Sequence, residues 1–145
     1  MKALIQRVRS ANVTVDQQVI GEIQQGLLVF LAVEVGDTES SADKMAYKLL
    51  NYRVFSDDNN KMNLNVNDIS GELMVVSQFT LAANTDKGLR PSFSGAAEPA
   101  IAKDYYHRCV ERLKSASLKV ETGRFAADMQ VALVNDGPVT FFLET

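Results

Sequence analysis

Two short stretches of the sequence place polar groups where apolar runs end. One is Ser77-Gln78-Phe79-Thr80-Leu81-Ala82-Ala83 and the other is Asn135-Asp136-Gly137-Pro138-Val139-Thr140. The hydroxyls of Ser77 and Thr80 become nucleophiles only when a neighbouring base takes their proton. The chain offers little for that task. Its only histidine, His107, lines up at helical spacing with Lys103, Glu111 and Lys114, which is a solvated stripe, and it reads as a surface residue. Without another histidine, a Ser-His-Asp or Cys-His arrangement cannot be assembled within one chain. Cys109 falls on the apolar stripe of the same helix, where a thiol behaves as a small hydrophobe. One Cys and one His cannot supply a structural zinc site. Asp57-Asp58, followed by Asn59-Asn60, reads as a turn rather than a catalytic carboxylate pair. No Gly-rich phosphate loop occurs.

An enzyme with this inventory needs chemistry that does without a side-chain base, a metal or a cofactor. An aminoacyl ester on tRNA suits that limit, because it is already activated and the adjacent ribose hydroxyl can assist its hydrolysis. Such a site works by positioning and by backbone N–H groups aimed at the developing oxyanion. One such donor is worth about 100- to 1000-fold in rate.

Both stretches must be positioned by a strand-dominated fold. The pattern in residues 1–15 is extended, with Val13 and Val15 alternating against Asn12, Thr14 and Asp16. Residues 27–33 are apolar on both faces and predict a central buried strand. Ala42, Met45, Ala46, Leu49 and Leu50 predict a helix capped by Asp37 or Thr38. Pro99 opens a second helix with Ala102, Tyr105, Tyr106, Cys109, Val110 and Leu113 on its inner face. Residues 72–79 predict a strand, and residues 129–134 and 139–143 predict two more around Asn135-Asp136-Gly137-Pro138. The expected class is α+β, strand-dominated, with two packing helices. With 145 residues, no repeat and no linker, the expectation is a single domain over 1–145.

Charge narrows the partners. A net charge of −3 argues against gripping long nucleic acid along its phosphates, DNA included, but leaves room for contact with a short RNA end. Arg7, Arg9, Lys87, Arg90 and Arg124 are the candidates for that contact. Arg7 and Arg9 interrupt any signal peptide, and residues 27–33 are too short to span a bilayer. A lone Cys109 precludes an internal disulfide and fits a reducing compartment, so a cytoplasmic location is expected.

Each motif carries two readings. The strand from Glu72 is apolar on both faces until Ser77, and polar groups at such an end mark either a site or a strand emerging into solvent. Gly137-Pro138 suits either an ordinary hairpin turn or a cis peptide bond.

The two motifs together closely resemble the signatures of the bacterial D-aminoacyl-tRNA deacylase family, also called D-tyrosyl-tRNA deacylase. The resemblance runs from the MKALIQRV start to the NDGPVTFFLET end and takes in residues 61–64 and 123–129. Asn84 replaces an expected acidic residue, and Phe142 stands where tryptophan is frequent. The resemblance implies a homodimer of mostly antiparallel, barrel-like sheets with pockets at the subunit interface. It implies that Ser77, Gln78, Phe79 and Thr80 surround the scissile ester. It also implies that Gly137-Pro138 is cis and enters the partner's pocket, where main-chain carbonyls screen the α-carbon. Arg7 matches a residue that holds this motif, and otherwise reads as a strand-surface charge. Phe125 and Met129 match positions near the terminal adenosine, and otherwise read as core. The implied activity is hydrolysis of the ester between a D-amino acid, and by extension mischarged glycine, and the tRNA 3′ end. Two other readings remain open: a non-catalytic dimeric module that binds a small ligand or an RNA end, and a hydrolase with Ser77 or Thr80 as nucleophile.

Overall fold

The computed structural model describes residues 1–86 and 88–145, so Lys87 lies outside the described residues. Strand β1 (Lys2–Val15) organises the molecule. One edge of β1 pairs antiparallel with β3 (Gly26–Ala32) at residues 2–8 and with β2 (Gln18–Ile23) at residues 11–15. Its other edge runs antiparallel to β8 (Gln130–Glu144) along almost its whole length. The sheet continues in parallel from β3 to β6 (Glu72–Ser77) and from β6 to β7 (Val120–Thr122). Parallel neighbours need a crossover, and each has a helix: α1 (Glu39–Asn51) before β6 and α2 (Pro99–Lys114) before β7. A small hairpin, β4 (Phe55–Ser56) with β5 (Met62–Leu64), lies outside the sheet. The sheet curls until its ends almost meet, with Lys119 Nζ of the β7 side donating to Glu22 O of β2 at 2.9 Å.

Alternation along β3 divides the core in two. Leu27, Val29 and Leu31 pack toward the helices with Met45, Leu49, Tyr106 and Leu113. Leu28 joins Val8, Val13, Ile23, Met74 and Val76 inside the curled sheet. A strand apolar on both faces is what such two-sided burial requires. Gly26 is needed where β3 meets β6, because a Cβ there would stand 1.8 Å from Glu72 O.

Thr38, not Asp37, caps α1. Its Oγ1 accepts from Ser41 N at 3.4 Å while Ser41 Oγ accepts from Thr38 N at 3.2 Å. Asp37 instead accepts from the Met1 ammonium at 2.5 Å and from Glu34 N at 2.7 Å. The helices are clamped by Asp43, which accepts from both Arg108 and Arg112. Those guanidiniums hold its carboxyl at about 2.

Two expectations need correction. Residues 129–134 and 139–143 are not two strands around a turn but one strand, β8, whose halves pair with the same β1. Gly and Pro mark a break in the hydrogen-bond ladder, and a break accommodates an outward bulge as well as a reversal. The strand from Glu72 stops at Ser77, and residues 79–82 form a 3₁₀ turn.

Candidate active site

Where β6 ends, the sheet and α2 part to leave a cavity of about 520 Å³. Leu31, Val76 and Val131 form its strand walls, with Val33 just past β3, and Pro99, Ala102 and Tyr106 its helix side, with Ala97 just before α2. Ser77, Gln78 and Phe79 stand on one rim, and Phe125, Asp128 and Met129 on the other. Tyr106 fixes the wall between them: its buried hydroxyl donates to Val75 O at 2.8 Å, and its ring stands 5.7 Å from that of Phe125. Gly123 leaves the space that Met129 fills, since a Cβ there would lie 2.6 Å from the Met129 sulfur.

The 3₁₀ turn determines which groups are free. Gln78 N–H is tied to Leu31 O at 2.8 Å, and the N–H groups of Leu81 and Ala83 close the turn onto Gln78 O and Thr80 O. The first N–H groups of a helical turn have no intrahelical acceptor. Among the described residues, those of Phe79 and Thr80 find none elsewhere. The Thr80 hydroxyl accepts from Gln78 Nε2 at 2.6 Å, so it is paired with an amide rather than with a base. His107 is on the exposed side of α2, and Cys109 is buried, which pushes its thiol up to about 12. Among the described residues, no three His, Cys, Asp or Glu side chains gather as a metal site.

The second motif is elsewhere on the subunit. Arg7, Gly137 and Pro138 are absent from the described lining of the cavity. Gln6 pairs with Thr140 and Val8 with Asn135, so Arg7 alone of β1 faces four residues of β8, namely Asp136, Gly137, Pro138 and Val139. They stand out as a bulge, and the Gly137–Pro138 bond is cis. Gly137 has φ +136°, and a Cβ on it would meet Val139 Cγ2 at 2.7 Å and Arg7 Nη2 at 3.1 Å. Arg7 turns inward, donating to Asp136 O at 3.0 Å and to Val54 O at 2.6 Å. Its guanidinium is therefore engaged with the bulge and with the segment before β4, and its side chain is only 13% exposed. Arg9 and Arg124 remain on the surface, paired with Asp136 and Asp16.

The model of the D-Tyr-tRNA(Tyr) deacylase family matches residues 4–144. The chain belongs to that family. Among its relatives, the D-aminoacyl-tRNA deacylase of Cellvibrio japonicus (strain Ueda107) is 62% identical over 144 residues, covering 99% of each chain. The solved structure of a c-Myc DNA Unwinding Element Binding Protein superposes with a TM-score of 0.94 at 40% identity, covering 100% of this chain and 99% of the other. A probable eukaryotic D-amino acid tRNA deacylase shares the fold at a TM-score of 0.88 and 14% identity, covering 99% and 98%.

For this member of the family the structure gathers five of the nine residues that the resemblance assigns to the site, Ser77, Gln78, Phe79, Phe125 and Met129, around one cavity. Thr80 is next to them in the turn, and Arg7, Gly137 and Pro138 form the separate bulge. Sequence reasoning missed Asp128, the only charged residue in the described lining. It lies between Phe125 and Met129, but an exposed aspartate among mixed neighbours gives no periodic signal. Tyr106 was read as core, and its contact with the strand leading to Ser77 was not legible.

Proposed function

We propose that this chain is a D-aminoacyl-tRNA deacylase, acting over residues 1–145 as a unit to hydrolyse the ester between a D-amino acid and the 3′ end of tRNA. The observation that carries the chemistry is the pair of N–H groups, Phe79 and Thr80, that find no acceptor among the described residues, in a turn whose Thr80 hydroxyl is paired with the Gln78 amide rather than with a base. Water adds to the ester carbonyl, and the carbonyl oxygen takes up negative charge within reach of these donors. The bond to the ribose 3′-oxygen then breaks. That oxygen receives the proton lost by the water, with the adjacent 2′-hydroxyl assisting the transfer. The products are the free amino acid and tRNA. Asp128 places a carboxylate at the rim, where the α-ammonium of an aminoacyl group is favoured.

Chirality is read by the bulge. In a homodimer, Gly137 and Pro138 of one subunit enter the cavity of the other and present main-chain groups to the α-carbon. An L side chain meets this wall, so selection is by repulsion and accepts many D side chains. Glycine has no side chain on either hand and passes. The dimer is supported by β8, where Val134, Phe141 and Phe142 are 53%, 36% and 49% exposed on one strand. Charged tRNA places the enzyme in the cytoplasm. The charge of −3 does not favour carrying over the DNA binding for which one solved relative is named.

Incubation with D-tyrosyl-tRNA and L-tyrosyl-tRNA tests the activity: the D ester should be cleaved and the L ester spared. If neither is cleaved, a binding module is the better reading. Mixed dimers test the shared site. A variant dead in the turn and one dead in the bulge, mixed and allowed to exchange subunits, should regain about a quarter of the wild-type sites, since each heterodimer restores one.

A further inference from the structure

The bulge in β8 is held at both ends by side chains, and only one end belongs to Arg7. At the other end the backbone N–H of Val139 donates to Asn135 Oδ1 at 2.8 Å. The same Asn135 amide donates from Nδ2 to Thr140 Oγ1 at 3.0 Å, and Thr140 Oγ1 also accepts from Gln6 Nε2 of β1 at 3.2 Å. Asn135 therefore spans the segment: its backbone is in register with Val8 before the bulge, and its side chain grips the two residues that follow Pro138. A carboxamide is suited to this because it offers an acceptor and a donor on one planar group. Asn135 is half-buried and its bond from Val139 N–H is partly shielded from competing water, while its bond to Thr140 is exposed.

We propose that Asn135 is a positioning residue for chiral selection, a clip that fixes the width of the bulge and hence the place of the Gly137 and Pro138 main chain. This rests on the reading of that main chain as the wall against L-amino acids. Arg7 tethers the bulge at Asp136 O, while Asn135 tethers it at Val139 N, so Gly137 and Pro138 are held between two anchors. Releasing one anchor lets the wall recede from an L side chain, while the turn at Phe79 and Thr80 is untouched. The loss is therefore in discrimination before it is in rate.

The test compares wild type, Asn135→Ala, Asn135→Asp and Thr140→Val on D-tyrosyl-tRNA and L-tyrosyl-tRNA, with amide hydrogen exchange read at Val139. Asn135→Ala should exchange faster at Val139, and its D-over-L ratio of kcat/KM should fall by about tenfold or more with a smaller fall on the D substrate. Asn135→Asp keeps an acceptor for Val139 N–H and should restore most of the ratio. A merely structural role would lower both substrates together and leave the ratio where it was. A wild-type ratio in Asn135→Ala, in an enzyme whose wild type discriminates, overturns this proposal alone. A wild type that cleaves both hands alike overturns the functional reading and this proposal with it. Should Asn135→Ala fail to fold, Thr140→Val decides through the milder loss of the Nδ2 partner: a lowered ratio supports the clip and an unchanged one overturns it.

Discussion

The cavity beside Ser77 and the bulge at Gly137 are built in opposite ways. The cavity is concave and formed by the closure of apolar elements, with Leu31, Val76, Ala102 and Tyr106 as walls that the core already holds in place. The bulge is convex, with Gly137 and Pro138 exposed, and depends on a few polar contacts from Arg7 and Asn135. A dense apolar wall tolerates the loss of one polar side chain, whereas a bulge with a handful of hydrogen bonds does not. On the proposed function the first region supplies rate and the second supplies selection. Substitutions should therefore separate the two quantities.

The strongest test of the division is Phe79→Pro against Phe79→Ala. Proline removes the backbone donor, and Gln78 at φ −144° and ψ 77° lies outside the α region that a following proline disfavours. Single-turnover rates on D-tyrosyl-tRNA should fall by a further ~100- to 1000-fold from the alanine to the proline variant. Equal rates would remove the backbone donor from the mechanism.

Gly137→Val should strike the other region. Its φ of +136° and the 2.7 Å approach of Val139 make any side chain strained there. A cost of about 1–3 kcal/mol is expected in thermal or denaturant unfolding. Activity should drop by about tenfold or more, with the D-over-L ratio collapsing. A variant with normal selection would break the comparison.

Thr80→Ala should be milder. Its hydroxyl accepts from Gln78 Nε2 at 2.6 Å and is paired with that amide rather than with a base, so a partial loss by positioning is expected in steady-state rates. A trapped covalent aminoacyl ester on Thr80 would instead establish the nucleophile reading. Exhaustive chelation and His107→Ala should each change the rate by less than about tenfold, equivalent to ~1.4 kcal/mol of barrier.

The smallest effect belongs to the scaffold. Arg108 and then Arg112 depress the Asp43 carboxyl from 3.8 to about 2, so its contribution to stability is present above its ordinary range and is lost as pH falls toward 2. An NMR titration should show this midpoint, and Arg108→Ala should raise it. Neutral-pH activity should not respond.

The legible parts of the molecule were those with a local cause. Leu27, Val29 and Leu31 against Leu28 announced a strand buried on both faces, and Ala42, Met45, Ala46 and Leu49 announced α1 by spacing alone. The turn at Phe79 was less legible, because a polar strand end looks the same whether it enters solvent or a pocket. The lone histidine and lone cysteine limited the chemistry before any coordinates, since no folding of one chain adds a second histidine or cysteine. That much the sequence determined by itself. Only the tertiary structure decided that Gly137 and Pro138 stand on a bulge rather than a reversal, because the choice depends on β1 being long enough to pair with both flanks. Only it placed Asp128 on the rim of the same cavity as Ser77, and turned Arg7 inward to Asp136 and Val54. Such contacts join residues far apart in the chain, and local patterning carries no term for them.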